Sequence, residues 1–506
     1  MSAVIQRPNV SRRYLPLWLI PVQALSVLTI SAAAFGGQVL RAWLLAGATW
    51  LLALPLLVSL EAGLIAMMLF EPLRGLLRRA QYLFIEYSSH DPIHVLTPVI
   101  TIMAVIALLK SHGLGIVRAT PMAGWVSALA ALYFVEIFNP LQGGLLVGLS
   151  GAMFWLAPLV WFYFGQFVTS DFITKVLKLM VALGLITSLY GVYQLVIGYP
   201  EFELYWIRNT EFYTSIALGH VERALATFSS AEEWGRYTQF AAIAAFGLAI
   251  GQKRLTARLG WLLAGVGLIG CVALTGQRAA AFGLGFGLVV LFMFTATSVS
   301  RGILRVTMFL LPFVVFAMLV KPPQAEEVWS NDETQTVTTV LSHTQRGMLK
   351  PAEEASFQER MTNWAFLLTE VIPYRPLGGG IGAGSLSEWR FNNGADELPP
   401  VDSSILMNGI TCGIPGILLF VWILGRSAFF SVGVARRAER NRDHWITKQI
   451  VLALLVATIV NSVFGLTFTL YSVAPLVWLF IGWTSAETLK LRREAERQEE
   501  REVITL

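Results

Sequence analysis

Charge is scarce in this 506-residue chain: Asp, Glu, Lys and Arg make up 14% of it, against 55% hydrophobic residues and a mean hydropathy of +0.63. That excludes a soluble globule, because too little polar surface remains to cover one. Cysteine is nearly absent. The two present, Cys271 and Cys412, fall inside apolar runs, so the loops have no disulfide framework and must hold together by packing and hydrogen bonds. The six histidines show no zinc-type spacing and no HExxH, and no GxSxG nucleophile elbow occurs, so neither a metal nor a cofactor is expected. A net charge of +5 and a pI near 9.2 raise nucleic acid as a partner. The cations instead sit mostly in short loops, as Lys253, Arg254, Arg258, Arg301 and Arg305 do, where they anchor a membrane protein. No nucleic-acid partner is expected.

What is present is apolar length. Runs near 20 residues fall at 15–35, 92–109, 122–138, 145–164, 176–197, 237–250, 259–274, 279–297, 303–320, 405–424, 446–464 and 466–484. The stretch 39–70, interrupted by Glu61, reads as two short spans joined near Ser59 or as one span plus an interfacial piece. The expected fold is an all-α polytopic membrane protein of about 13–14 transmembrane helices, with a large extracytoplasmic loop containing an amphipathic helix. Arg7, Arg12 and Arg13 before the first run resemble a signal peptide, but the run is long for one and reads as an uncleaved span.

The positive-inside rule places Lys253 to Arg258, Arg301, Arg305, Arg436 to Arg442 and the C-terminal tail in the cytoplasm. The expected order is transmembrane helices over 1–197, an outer loop over 198–236, transmembrane helices over 237–321, a large outer loop over 322–402, transmembrane helices over 403–487 and a charged cytoplasmic tail over 488–506. The same count puts Arg74, Arg78 and Arg79 outside, against the rule. Either one span in the first half is misassigned, or this cluster binds an anionic head group.

The 322–402 excursion holds five Lys/Arg against twelve Asp/Glu, the reverse of the basic loops opposite. It reads as three parts. A weakly structured acidic stretch runs to about Lys350. Phe357, Met361, Trp364, Leu368 and Val371 then recur at spacings of three and four, an amphipathic helix over 352–372 that Pro373 ends and that carries Arg360 beside its apolar stripe. The glycine turn from Gly378 to Gly384 follows; it has a GxGxG but no preceding strand, so it reads as a backbone turn rather than a nucleotide site.

Polar residues gather where the chain leaves and re-enters the membrane. His220, Arg223, Glu232 and Arg236 lie in the outer loop before the 237–250 span, and an arginine followed by small and hydroxyl residues ahead of a helix suits an anion. The alternative is an interfacial anchor paired with Glu222 or Glu232. Arg278, in Thr-Gly-Gln-Arg between two spans, sits near the hydrocarbon edge, where a charge needs a partner or snorkels to water. Asp402, with Ser403 and Ser404, is a helix N-cap or a carboxylate at a cavity mouth, usable as a general base.

The order of these elements resembles the O-antigen ligase and O-antigen polymerase superfamily of bacterial envelope glycosyltransferases. The resemblance rests on FNP at 138–140, LYGVYQLVIGYP at 189–200, the outer Arg223 loop, TGQRAA at 275–280, ERMTNWAFLLTEVIPYRPLGGGIGAG at 359–384 and LMNGITCGIPGILLF at 406–420, covering roughly 138–424. It implies transfer of a glycan from a polyprenyl-diphosphate-linked oligosaccharide to an acceptor hydroxyl, on a glycan or lipid, at the outer face of a bacterial plasma membrane, without metal or nucleotide. Arg223 and Arg278 match the arginines that engage the lipid diphosphate, and Arg360 matches the arginine before the Trp and glycine turn. Where many members carry His-Asn before the re-entering span, this chain has Asp402-Ser403, so Glu232, Glu233 and His343 stay open as bases beside Asp402. The departure points toward a polymerase or transferase of an exopolysaccharide or capsule-like glycan. A transporter or flippase of the same lipid-linked substrate is the alternative; against it, charges within spans are few, Glu61 and Glu136 being the main ones, and no repeat is evident.

Overall fold

The computed structural model describes residues 19–34, 39–87, 91–116, 119–210, 217–218, 221–319, 336–385, 388, 398–439 and 444–505. These are almost entirely helical. The exception is a two-residue antiparallel ladder, Ala217–Leu218 with Val221–Glu222. Eight helices among the described residues are long and apolar enough to cross a membrane: Val39–Leu57, Ile93–His112, Leu145–Gly165, Ser170–Val196, Leu255–Leu274, Arg278–Thr295, Ser404–Arg436 and Trp445–Val463. The chain is therefore an all-α polytopic membrane protein.

In chain order the helices are α1 (Leu19–Ala34), α2 (Val39–Ala53), α3 (Leu60–Phe70), α4 (Arg74–Ala80), α5 (Leu96–His112), α6 (Ala123–Glu136), α7 (Leu145–Leu159), α8 (Trp161–Gly165), α9 (Ser170–Val196) and α10 (Glu201–Asn209). The second half holds α11 (Ala231–Gly251), α12 (Leu255–Leu274), α13 (Arg278–Thr295), α14 (Val299–Leu319), α15 (Thr336–Leu349), α16 (Ala355–Phe366), α17 (Ile372–Tyr374), α18 (Ser404–Arg436), α19 (Trp445–Val463) and α20 (Ala474–Thr505). The ambiguous 39–70 stretch divides at Ser59, whose side chain accepts from Ala62 N and caps the eleven-residue α3. The run expected at 466–484 starts later: a 3₁₀ turn at Thr467–Thr469 precedes α20, which continues without a break through the charged tail.

The centre of the bundle is α11, buried on every side from Glu233 to Ala249 and packed against α9, α12, α13 and α19. Its Ala- and Gly-rich second half makes this contact close, because small side chains let helix backbones approach. A Cβ on Gly247 would lie 2.2 Å from the Ile450 side chain.

The glycine turn is a wedge of backbone rather than a ligand loop. α18 breaks its helical path at Gly413 (φ 64°) just before Pro415. Into that break come Gly379 N and Gly380 N, which donate to the carbonyls of Ile410 and Thr411, while Ile414 N donates back to Pro376 O. A Cβ on Gly378 would sit 2.4 Å from Thr411 O, and one on Gly413 2.1 Å from Pro376 O. Only glycine permits this approach and the positive φ values that go with it.

Two expectations about the 322–402 segment change. Where a weakly structured stretch was expected before Lys350, residues 336–349 form α15. The amphipathic helix is present as α16, but a π turn at Leu367–Val371 follows it, and the helix ends at Tyr374, one residue past Pro373. The wider π turn rotates the register. Leu367 is buried while Leu368 is 53% exposed, so the inward face is Trp364, Leu367, Val371 and Ile372.

Candidate functional site

The loop bearing Arg223 is clamped before the arginine enters any site. α4 lies beneath it: Arg79 ion-pairs with Glu203 at 2.6 Å and donates to the carbonyls of Ala226 and Phe228, while Leu76 N donates to Thr227 O at 2.7 Å. Gln194 Oε1 accepts from Leu225 N and Ala226 N, which fixes the turn at Ala226 with its positive φ of 50°. The basic cluster that defied the topology rule is therefore packed against the 223–230 turn, at the same end of the bundle. It needs no bound head group, because Arg74 pairs with Glu71 at 3.2 Å and Arg78 with Asp91 at 3.3 Å, all buried.

Arg223 itself is half-buried, and its buried Nε has no hydrogen-bond partner. Burial first, and then the neighbouring Arg278, push its guanidinium below the ordinary arginine value. Arg278 opens α13 after a turn in which Gly276 has φ 69° and Thr275 Oγ1 accepts from Gln277 N. Its Nη2 donates to Ser356 Oγ at 2.8 Å. Gly347 of α15 lies flat against the same guanidinium, and a Cβ there would come within 2.2 Å of Nη1. One turn earlier on α15, His343 is 6% exposed; burial, then Arg223, Arg278 and Arg346, push its pKa down to about 4.

Around this core each further cation has a carboxylate. Arg346 pairs with Glu354 at 2.9 Å, Arg360 with Asp402 at 2.8 Å and Arg236 with Glu232 at 3.3 Å. Arg223 and Arg278 form no ion pair with any described residue. The structure thus brings together Arg223, Arg278 and Arg360 with Asp402 at the rim; Glu354 partly offsets the charge of Arg278, and no described carboxylate pairs with Arg223, a surplus of guanidinium that suits an anion.

The remaining expected residues fall out differently. Asp402 is not the helix cap: Ser403 caps α18 by accepting from Leu406 N, and the Asp402 carboxylate, 53% exposed, turns to Arg360. Arg236 is fully buried and bonds Asn461 Oδ1 and Phe464 O as well as Glu232, tying α11 to the end of α19. A Cβ on Gly465 would meet both Arg236 and Glu232. Glu233 faces away, with Oε2 accepting from Ser229 N and Oε1 from Ser472 N; at 2% exposure it has no route to an acceptor. His220 lies outside the described residues. Arg346, Gly347 and Ser356 were not singled out in the sequence. For Arg346 and Gly347 the signal is an amphipathic rhythm in 336–349, which the acidic balance of the wider segment hides.

The helix α16 closes over the cluster. Trp364 stacks on Phe464 with centroids 6.0 Å apart, joining α16 to the same corner that Arg236 holds from below. Compared with known proteins, the sequence matches no family model and no curated relative.

Proposed function

We propose that the chain transfers a glycan from a polyprenyl-diphosphate-linked oligosaccharide to an acceptor hydroxyl at the outer face of a bacterial plasma membrane, as a polysaccharide polymerase or ligase. The observation that carries this reading is the pair Arg223 and Arg278, two adjoining guanidiniums that form no direct ion pair with a described carboxylate, Glu354 only partly offsetting Arg278, beneath an amphipathic helix and beside an exposed carboxylate. In this reading 322–402 lies outside the cytoplasm, and the shorter and central helices also cross, giving 13 or 14 spans.

The chemistry assigns each group a task. The acceptor oxygen bonds to the anomeric carbon as that carbon's bond to the phosphate oxygen breaks. Negative charge then grows on the departing polyprenyl diphosphate, where Arg223 and Arg278, already in place, stabilise it. Asp402 takes the acceptor proton and passes it to water, and Arg360 holds the carboxylate in position. Glu232, half-buried at the rim, lines the acceptor side, and Arg236 supports it from within the bundle.

Purified protein incubated with a polyprenyl-diphosphate oligosaccharide should yield elongated or transferred glycan and free polyprenyl diphosphate. Movement of the lipid across a vesicle bilayer without any new glycosidic bond would instead make the protein a flippase.

A further inference from the structure

The end of α18 remote from Asp402 carries a second group of uncompensated cations. Arg426 lies 22 residues beyond Ser404. At about 1.5 Å per residue that is at most about 33 Å, since the path breaks at Gly413, still on the scale of a ~30 Å hydrocarbon layer. Trp422, one turn before it, meets Trp125 at the start of α6 with centroids 5.6 Å apart, and both are more than 40% exposed. Such a pair marks an aromatic belt at a membrane interface. The neighbouring Leu418, Val421 and Phe429 are also exposed, so this face of α18 looks toward lipid.

Against that face Arg426 is caged by rings. Its guanidinium carbon stands 4.6 Å from the Phe430 centroid, 5.4 Å from Phe429 and 5.6 Å from Trp422. Arg492 of α20 approaches the same Phe430 ring at 5.7 Å. Neither arginine has a carboxylate within ion-pair distance among the described residues, and the buried Arg426 Nε has no hydrogen-bond partner. The nearby lysines differ: Lys448 and Lys490 both pair with Glu487. A ring face attracts a guanidinium but leaves its in-plane N–H donors free, and a charge at this depth is costly unless something accepts from them.

We propose that the crevice between α18 and α20 binds an anionic phospholipid, its phosphate bridged by Arg426 and Arg492 and its acyl chains laid along Leu418, Val421, Trp422 and Phe429. Guanidinium matches phosphate bidentately, which a lysine at this place would not. The site is separate from the Arg223 cluster and independent of what that cluster does.

The test is thermal unfolding of the full-length protein in mild detergent, titrated with phosphatidylglycerol, phosphatidylcholine or inorganic phosphate. Phosphatidylglycerol alone should raise the unfolding midpoint in a saturable way. Arg492→Gln, on an exposed position that folding tolerates, should weaken the apparent affinity about tenfold, equivalent to about 1.4 kcal/mol. Arg426→Gln combined with it should remove the response, and Arg426→Lys should not restore it. Arg436→Gln with Arg437→Gln, which removes two exposed cations from the same helix end, should leave the response intact. An equal rise with phosphatidylcholine or with inorganic phosphate, an unaltered response in Arg492→Gln, or an equal loss in the Arg436 and Arg437 pair would each overturn the proposal.

Discussion

Arg360 reaches across 42 residues of chain to place its Nη2 2.8 Å and its Nε 3.3 Å from one oxygen of Asp402. Both bonds fall on Oδ2, so Oδ1 stays open toward solvent on a side chain 53% exposed. The ion pair joins the amphipathic helix to the head of α18 without using up the carboxylate.

Asp402→Asn should therefore keep the fold, since Ser403 supplies the cap, and lose glycan transfer by about 10²-fold or more through the missing base. Donor-lipid binding should persist. Transfer at near-normal rate, measured by released polyprenyl diphosphate, would leave Asp402 as no more than an anchor for Arg360.

Arg223→Ala and Arg278→Ala should each lower transfer by about 10²–10³-fold, the usual cost of one preorganised charge-stabilising donor. Neither forms an ion pair within the described residues, so the unfolding midpoint should hardly move. Unchanged polymer in a complementation assay with verified expression would rule out the transferase.

Gly347→Ala tests the packing of α15 on Arg278. The added methyl would sit 2.2 Å from Nη1, so the guanidinium must swing off Ser356 or the helix must lift. Transfer should fall about tenfold or more while stability changes little, because the flexible end of a side chain gives way first. Kinetics equal to wild type would show that Arg278 does not act from its observed position.

His343 gives the site a pH signature. Its folded pKa, about 4, lies below the 6.5 of the free side chain, so the unfolded chain gains a proton that the folded one refuses. Stability is then complete above pH 6.5, falls as pH drops through the window, and levels off below about 4, at a slope of up to about 1.4 kcal/mol per unit. His343→Gln should flatten the fall in unfolding midpoint between pH 7 and 5. Identical acid sensitivity in the variant would contradict the burial of His343 among three arginines.

Gly413→Ala should destabilise by about 3 kcal/mol or more, since a β-carbon would clash with Pro376 O at 2.1 Å on a backbone with φ 64°. Gly433→Ala, farther along the same helix with open space around it, is the control. Equal unfolding midpoints for the two would mean that the glycine wedge can shift.

Apolar run length carried most of the fold, and the runs at 92–109, 259–274 and 446–464 fall on observed helices with small shifts at their ends. The site was partly legible because Arg223, Arg278 and Arg360 sit where apolar pattern stops, and such edges can be read without tertiary contacts. What escaped reading depends on distant partners. Arg79 pairs with Glu203 across 124 residues, so its loop looked like a breach of charge topology when it is a neutralised clamp. The π turn at Leu367–Val371 defeated a 3.6-residue rhythm by one position. Ser403, the residue immediately before α18, is the cap, and the Asp402 carboxylate goes to Arg360, a partner far away in sequence.

The clamp beneath the Arg223 turn has a mechanical consequence. To displace that turn, the molecule must break buried bonds from Arg79, Gln194 and Thr227 at once, each in surroundings that offer no water in exchange. The opposing helix α16 is held by the Arg360–Asp402 ion pair, the Trp364–Phe464 ring stack and the exposed hydrogen bond from Arg278 to Ser356. The two sides of the cluster thus differ in what must break before they move: several buried bonds beneath Arg223, fewer and more exposed ones at α16. If a bulky chain enters the cluster as proposed, α16 is the side that should yield, while the Arg223 side keeps its shape.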